Sequence, residues 1–213
     1  MHIPDAFIPL PQAAIYWIIA LVFLGLAIRW ARSELHEDKI PLIAVLAAGI
    51  FALQSFNLPV SMGTSGHLVG GALAAIVLGS PFAAVFILTL VLIIQGFIFG
   101  DGGITVMGAN ILNMGVIGGF VGYYSFHGFM KMAKNPYVSS ALAAWFACLI
   151  PALACAVEMY VAGTFPLVPG LLAMGIYHAV IGVIEGVVTA VIIYVLAMAR
   201  PDLVDNSVGV ACA

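Results

Sequence analysis

The residues best suited to metal chemistry stand at the start of the chain, which reads MHIPDAF. Because His2 is too large for efficient removal of the initiator, we expect Met1 to be retained with a free amine. The Met1 amine, the His2 amide nitrogen and the His2 imidazole can then chelate one ion in fused rings, provided that the ion displaces the amide proton. Cu(II) and Ni(II) favour planar sets of nitrogen donors, and Co(II) accepts them in a preorganised site. Such a chelate leaves one planar position open.

A second histidine, His67 in GTSGHLVGG, is the candidate for the open position. It is the only other histidine that the topology derived below places in a loop region on the same side of the membrane. The alternative is that His2 is an exposed side chain without function and that His67 is an ordinary loop histidine. His36 and His127 fall in predicted loops on the opposite side, and His178 falls in the last apolar run.

Composition decides the environment in which these residues must be positioned. Of the 213 residues, 64% are hydrophobic and 7% are charged, and the mean hydropathy is +1.22. A soluble domain carries roughly 25% charged residues. Long continuous apolar runs cross a bilayer as helices, whereas a barrel would show alternating polarity. The sequence therefore predicts an all-α, polytopic integral membrane protein with one membrane domain over residues 1–213, surrounded by lipid and without a nucleic-acid partner.

Seven apolar runs, separated by glycine, proline or clustered charge, are predicted to span the membrane. They cover residues 12–28, 40–56, 66–79, 82–99, 104–124, 138–161 and 171–199. The third run is short for a crossing of about 20 residues. Residues 1–11 form an extracytoplasmic tail that lacks the basic charge of a cleaved signal peptide, and residues 200–213 form a cytoplasmic tail.

The basic residues determine the predicted orientation. All six lie in or beside three connections or tails: Arg29, Arg32, Lys39, Lys131, Lys134 and Arg200. With the amino terminus outside and the carboxy terminus in the cytoplasm, every one of them falls on the cytoplasmic side, as the positive-inside rule requires. The opposite orientation would place all six outside.

This orientation gathers a different set of polar residues on the outer face. Asp101 lies in FGDGG, and Asn110 and Asn113 lie in GANILNMG at the start of the fifth predicted span. Asp5 lies in the amino-terminal tail itself. We expect these four residues to support the metal ligands without binding the ion, so that the outer face forms a mouth that captures cations.

Four segments, MHIPDAF, GTSGHLVGG, QGFIFGDGG and GANILNMG, together closely resemble the CbiM/NikM family. Members of that family are the cobalt- and nickel-specific substrate-binding membrane components of energy-coupling factor transporters. The resemblance covers nearly the whole chain, and it implies that the metal is held by the Met1 amine, by the amide and ring of His2, and by His67. One residue departs from the family pattern, because Ala6 stands where the family usually has glycine. The alanine removes backbone freedom from the tail but removes no ligand.

The resemblance also implies a task and an assembly. Such a component captures Co²⁺ or Ni²⁺ outside the plasma membrane of a prokaryote and delivers it inward for cofactor synthesis or metalloenzymes. It is not an enzyme, and no GxxxxGK[ST] motif is present in the sequence. A membrane coupling (T) subunit, two ATPase (A) subunits and a small auxiliary membrane subunit are the implied partners. The transported ion is the only metal implied, and nitrogen donors suit both cobalt and nickel.

A stripe of small residues marks the second predicted span. Ala44, Ala48 and Ala52 recur every four residues, and small residues at this spacing let helices approach closely. The resemblance makes the stripe a docking surface for the coupling subunit. The alternative is packing inside the chain.

One acidic residue supports a rival function. Glu185 falls near the middle of the last predicted span, where a carboxylate is costly and is expected to face the protein interior. His178 lies seven residues earlier on the same helical face. A pair of these side chains would suit a stand-alone, proton-coupled secondary permease for divalent metals, and this remains the alternative to an ATP-driven importer.

Overall fold

The computed structural model describes residues 1–60 and 64–201, and it is mostly helical in these ranges. The helices are α1 (Leu10–Glu34), α2 (Ile40–Gln54), α3 (Gly71–Val77), α4 (Pro81–Ile94), α5 (Met107–Asn110), α6 (Gly118–Ala133), α7 (Pro136–Val161) and α8 (Leu167–Ala199). The predicted carboxy-terminal tail, 200–213, lies outside the described residues from position 202 onward.

Two π-helical segments modify the helices. One, Gln95–Phe99, continues α4, and the other, Ile111–Ile117, joins α5 to α6. Residues 107–133 therefore form a continuous helix. Wider helical turns of this type occur frequently at functional sites, because they change the direction in which side chains project.

A short hairpin was absent from the all-α prediction. Strand β1 (Leu58–Val60) pairs antiparallel with β2 (Thr64–Gly66), and Leu58 lies opposite Gly66. The sequence predicted this segment only as a break between spans. Two paired strands of three residues each are too short to show the alternating pattern of a β-strand. The hairpin leads directly to His67.

Four helices in the described part of the chain are long and apolar enough to cross a membrane. They are Leu10–Glu34, Pro81–Phe99, Pro136–Val161 and Leu167–Ala199, and they contain the predicted spans 12–28, 82–99, 138–161 and 171–199. Helix α2 has 15 residues and extends roughly 22 Å at 1.5 Å per residue, less than the approximately 30 Å hydrocarbon core.

Two predicted spans differ from the helices that form. Only Gly71–Val77 of the run 66–79 is helical, since the hairpin and the loop after it occupy the first residues. The run 104–124 continues as helix to Ala133, because the expected break at 127–136 occurs only where Asn135 caps α7 by accepting hydrogen bonds from two backbone N–H groups. His127 therefore lies in a helix, half-buried, with Nδ1 2.9 Å from the Tyr123 carbonyl oxygen, rather than in a loop.

The distribution of polarity is that of a protein in lipid. Large apolar side chains are exposed along the outer faces of α1 and α8, for example Ile18, Val22, Val180 and Val187. Contiguous apolar surface of this extent is rare on soluble monomers. The polar side chains inside the spans, by contrast, are turned into the bundle, where neighbouring segments bond to them.

Small residues bring the helices into close contact. A Cβ atom added at Gly186 would lie 2.7 Å from the Ala141 carbonyl oxygen, and one added at Gly122 would lie 2.6 Å from Ala72 Cα. These distances are shorter than side chains allow, so α7 packs on α8 and α3 packs on α6 backbone to backbone. This is the packing that small residues provide where no hydrophobic effect drives helices together.

The amino-terminal tail is folded into the bundle rather than extended from it. Met1 and Ile3 are fully buried, and Ile8 is also buried. A turn reverses the chain between Pro4 and Phe7, whose N–H bonds to the Pro4 carbonyl at 3.4 Å. Within that turn Ala6 has φ +70°, the left-handed region that favours glycine.

The turn predicts that Ala6→Gly stabilises the protein. A non-glycine residue in the left-handed region costs roughly 1–2 kcal/mol, which exceeds the approximately 0.5–1 kcal/mol of extra chain entropy that glycine loses on folding. We expect the midpoint of thermal unfolding in detergent to rise by up to roughly 2–4 °C.

The matched control is Ala20→Gly, at a buried position inside α1. There glycine brings its entropic cost and loses a buried methyl group without relieving strain, so the unfolding midpoint should fall. A fall for both variants would contradict the strain assigned to Ala6.

Candidate metal site

The chain's amine lies against the hairpin. The Met1 nitrogen donates to the Ser65 carbonyl oxygen and lies 3.4 Å from Ser65 Oγ. Ser65 belongs to β2, two residues before His67. The hairpin therefore places the chain's first residue beside the histidine that sequence analysis selected as the fourth donor.

The His2 ring is oriented by an amide from α4. His2 Nε2 is 3.1 Å from Gln95 Oε1, and because that oxygen accepts, Nε2 carries the proton and Nδ1 keeps its lone pair. Nδ1 has no hydrogen-bond partner in residues 1–60 and 64–201, while Asp101 Oδ1 lies 3.4 Å from it. A lone pair facing a carboxylate is favourable only when a cation or a proton lies nearby.

A hydrogen bond also fixes the tautomer of the His67 ring. Its Nδ1 is 2.7 Å from the Leu68 carbonyl oxygen, so Nδ1 donates and Nε2 keeps the lone pair. Nε2 is buried and, within the described ranges, has no hydrogen-bond partner. The His2 and His67 rings stack with their centroids 4.4 Å apart and an interplanar angle of 27°. The sequence prediction that these two histidines come together is thus matched by the geometry.

Three of the four predicted supporting residues hold the tail or face the His2 ring. Asn110 accepts a hydrogen bond from the Ile3 N–H at 2.8 Å and donates to the Ile3 carbonyl at 3.2 Å. Asp5 accepts from the backbone N–H groups of Ile104 and Thr105, and the Thr105 hydroxyl lowers the pKa of Asp5 further. Asp101 faces His2, as described above.

The fourth predicted residue, Asn113, bonds away from the tail. Its Nδ2 donates to Glu158 Oε2 at 2.6 Å, between the π-helical segment and α7. The expectation rested on its place at the start of the fifth predicted span; in the structure Asn113 lies within the π-helical segment Ile111–Ile117. Glu158, near the end of α7, is buried in this pair.

Sequence analysis missed Gln95 and Ser65. Gln95 lies in QGFIFGDGG at the first position of a π-helical segment and is 2% exposed. An amide inside an apolar run is costly in a membrane and marks a functional or structural contact, so the signal was present. Ser65 offers its backbone carbonyl, and no side-chain pattern indicates that.

Burial keeps the candidate donors uncharged. It lowers the pKa of the Met1 amine from 8.0 to about 5. Burial, with the amine charge as the next contribution, lowers the pKa of His2 from 6.5 to about 4. Both groups therefore present lone pairs at neutral pH, which is the form that binds metal.

Side chains alone do not complete a metal site here. In the described part of the chain, no three side chains of His, Cys, Asp or Glu come together as possible ligands. An ion held by His2 and His67 would therefore need backbone nitrogens as its other donors. A cavity of about 540 Å³, lined in part by His2, Ser65 and Asp101, opens beside these atoms.

The alanine stripe lies on the surface of α2. Ala44, Ala48 and Ala52 are exposed, so packing inside the chain does not account for the stripe. Two of them, with Phe51 and Phe99, line an apolar groove of about 330 Å³ between α2 and α4.

Glu185 and His178 bond to different groups. The two Glu185 carboxyl oxygens each lie 2.8 Å from a backbone nitrogen, at Val69 and at Gly70. His178 Nδ1 lies 2.8 Å from the Met174 carbonyl oxygen. The direct pair that a proton-coupled permease would use is replaced by these contacts.

Comparisons with known proteins show the family of the chain. A family model described as "Cobalt uptake substrate-specific transmembrane region" matches residues 2–203. A relative from Haloquadratum walsbyi is 42% identical over 96% of this chain and 93% of its own length. The cobalt transport protein CbiM of Sorangium cellulosum is 32% identical over 97% of this chain and 95% of its own.

A solved structure extends the similarity to the fold. The crystal structure of a truncated transition metal transporter superimposes with a TM-score of 0.88 and 32% sequence identity, covering 93% of this chain and 99% of that one. The family model, the related sequences and the solved structure each match nearly the whole chain, and all three indicate the same family. The chain belongs to the CbiM family of cobalt uptake substrate-specific transmembrane regions.

Proposed function

We propose that this chain is the substrate-binding membrane subunit of an ATP-driven energy-coupling factor importer that captures Co²⁺ or Ni²⁺ outside and delivers it inward. The observation that carries the proposal is the stacked, buried pair His2 and His67, each with one ring nitrogen that lacks a hydrogen-bond partner among the described residues. Buried polar atoms are normally satisfied. One ion bound beside the Met1 amine would give both ring nitrogens a partner. Two histidines with only a packing role would leave these lone pairs without one.

The proposed ligands are four nitrogens: the Met1 amine, the His2 amide, His2 Nδ1 and His67 Nε2. Their supports are in place, because Gln95 and the Leu68 carbonyl each bond to the other nitrogen of a ligand ring. Such outer contacts fix the tautomer and orientation of metal-binding histidines. A planar nitrogen set suits Ni²⁺ and, when preorganised, Co²⁺.

The proposed assembly contains a membrane coupling subunit, two ATPase subunits and a small auxiliary membrane subunit. The exposed alanines of α2 and the groove beside them support docking of a helical partner. The rival, a proton-coupled permease, has lost its main support, since Glu185 bonds to backbone N–H groups rather than to His178.

We further infer seven crossings of a prokaryotic plasma membrane, with the amino terminus outside. The four long apolar helices support this topology. The positive-inside rule supports it as well, because this topology places all six basic residues on the same, cytoplasmic side. The run 66–79 would cross as a loop followed by α3.

Orientation can be tested with single cysteines in two exposed positions. Leu58 lies in the hairpin and is 52% exposed, and Met132 lies at the end of α6 and is 81% exposed. An impermeant thiol reagent added to intact cells should label Leu58→Cys above the background of the parent chain and should leave Met132→Cys unlabelled until the cells are opened. The reverse pattern would reject the topology.

The terminal chelate can be tested by adding one residue before Met1. The extension keeps His2 and His67 but converts the Met1 nitrogen from an amine into an amide, so the fused rings lose their first donor. Equilibrium binding of Ni²⁺ and Co²⁺ should weaken by more than the roughly 10–100-fold that outer contacts of a metal site contribute. Equal affinities of the native and extended chains would show that the amine is not a ligand.

Two histidine variants complete that comparison. His67→Ala removes a proposed ligand and should weaken binding as strongly as the extension does. His36→Ala, at the cap of the short turn after α1, should leave affinity unchanged. Similar small effects of both substitutions would remove His67 from the ligand set.

Proton release provides an independent test. At pH 7 the lowered pKa values leave the amine and His2 unprotonated in the folded protein, so binding should release about one proton, from the His2 amide. With pKa values of 8.0 and 6.5 the release would be slightly more than two protons. Affinity should fall about tenfold per pH unit between pH 8 and 6 and more steeply below about pH 5. Calorimetry in buffers of different ionisation enthalpy measures the number, and zero would exclude amide ligation.

The docking surface predicts separate losses of transport and binding. Ala48→Trp fills the groove on α2, so uptake and co-purification of the coupling subunit should fall while equilibrium metal binding is retained. Val22→Trp, on the exposed face of α1, is the matched control and should alter neither. Loss of metal binding in Ala48→Trp would assign the stripe to internal packing, and uptake that persists without the ATPase subunits would support the permease.

A further inference from the structure

The loop that carries His67 is held by two buried polar side chains from distant parts of the chain. Glu185 of α8 accepts hydrogen bonds from the backbone N–H groups of Val69 and Gly70, each at 2.8 Å. Gln54, at the end of α2, donates from Nε2 to the Val69 carbonyl oxygen at 2.7 Å. Gln54 and Glu185 are 0% and 2% exposed. Val69 is therefore held through both its N–H and its carbonyl group.

These contacts explain why such costly groups lie inside the bundle. A buried amide or carboxyl group destabilises a protein unless it is hydrogen-bonded, and both Glu185 oxygens are used on one short loop. The loop has no ladder of its own between β2 and α3. Its N–H groups and the two Glu185 oxygens therefore satisfy one another, and neither side can move alone without leaving an unpaired group.

Helix α2 contacts the same loop a second time. Gly70 has φ +78°, and a Cβ atom added there would lie 2.8 Å from the side chain of Ile50. Ile50 and Gln54 are one helical turn apart on α2, and both are buried. The face of α2 that meets the loop is thus separate from the exposed alanine face.

We propose that Glu185 and Gln54 are positioning residues for His67, and that Gln54 makes the metal-binding geometry depend on the position of α2. The proposal rests on the function proposed above, in which His67 supplies the fourth nitrogen. His67 Nδ1 bonds to the Leu68 carbonyl oxygen, directly before the residue that Gln54 and Glu185 hold. The backbone from Leu68 to Gly70 therefore sets the direction of the ring.

This arrangement gives a partner a route to the metal. A protein bound to the exposed alanine face that shifts or rotates α2 would pull on the Val69 carbonyl and on Gly70. The ligand most directly displaced is His67, since the other three nitrogens belong to the tail, which is held by Asn110 and Asp5 instead. Weakening one ligand of four converts tight capture into release.

The test compares Gln54→Met and Glu185→Gln with the parent chain. Gln54→Met keeps the side-chain length but removes the donor, and Glu185→Gln keeps one acceptor oxygen. The readouts are the ligand-field absorption band of bound Ni²⁺, the equilibrium affinity for Ni²⁺, and the midpoint of thermal unfolding without metal. We expect the band to shift and the affinity to fall about 10–100-fold in each variant.

The matched control is Thr89→Val. Thr89 is a buried residue of α4 whose hydroxyl donates to the Val85 carbonyl, so this variant also removes a buried hydrogen bond but does not touch the loop. Its band and affinity should equal those of the parent. A band that shifts equally in Thr89→Val would mean that the effect is general loosening, and this would overturn the proposal.

A double-mutant comparison separates positioning from a purely structural role. In the His67→Ala background, Gln54→Met should weaken the remaining binding no further, because the ligand that it positions is gone. An equal loss in both backgrounds, or unchanged band and affinity in the single variants, overturns the proposal. If Glu185→Gln does not fold, Gln54→Met alone decides.

Failure of the proposed function gives a different result. In that case either the parent chain shows no Ni²⁺ band, or the one-residue amino-terminal extension leaves the band unchanged. Either result also rejects the positioning role. A parent chain that shows the band, together with Gln54→Met and Glu185→Gln variants that keep it unchanged, rejects only the positioning role.

Discussion

The two hydrogen bonds between Asn110 and the backbone of Ile3 hold the amino-terminal tail inside the bundle, and the candidate site depends on them. They bury the amine and His2 among apolar helices, and burial is the main reason that both pKa values are lowered. Donors that are neutral and already oriented lose little freedom when an ion arrives. The same burial is unfavourable without an ion, because the unfolded chain binds protons more strongly than the folded one between about pH 5 and 8.

The fold divides its polar groups according to the solvent around it. Exposed side chains on α1 and α8 are largely apolar, whereas the buried amides and carboxyl groups bond to backbone or side-chain atoms of neighbouring segments. Glu185 illustrates the result, since a carboxyl group in the middle of a helix becomes the anchor of a loop. In water the loop could bond to solvent, but inside a membrane protein its N–H groups need a partner from the chain.

Local patterns predicted much of this molecule, and contacts between distant residues account for the rest. Apolar runs located α1, α7 and α8, because helix length in a bilayer is dictated by its thickness. The spacing of donors in the first two residues indicated His2, and the outer loop supplied His67. The hairpin, by contrast, is a pairing across a turn, and the contacts of Gln54 and Gln95 join segments whose sequences give no hint of one another. The bond from Asn113 to Glu158 likewise joins two distant segments, and no local pattern predicts it.

The anchoring of the His67 loop by Glu185 has a consequence for biogenesis. The loop of His67 is secured by the carboxyl group of Glu185 in α8, 115 and 116 residues further along the chain than the two N–H groups it binds. The tail is held by Asn110, 107 residues after Ile3. A partly translated chain therefore carries the proposed ligands without the framework that brings them together. That framework is complete only when α8 has been inserted, so the geometry of the proposed site forms late in biogenesis.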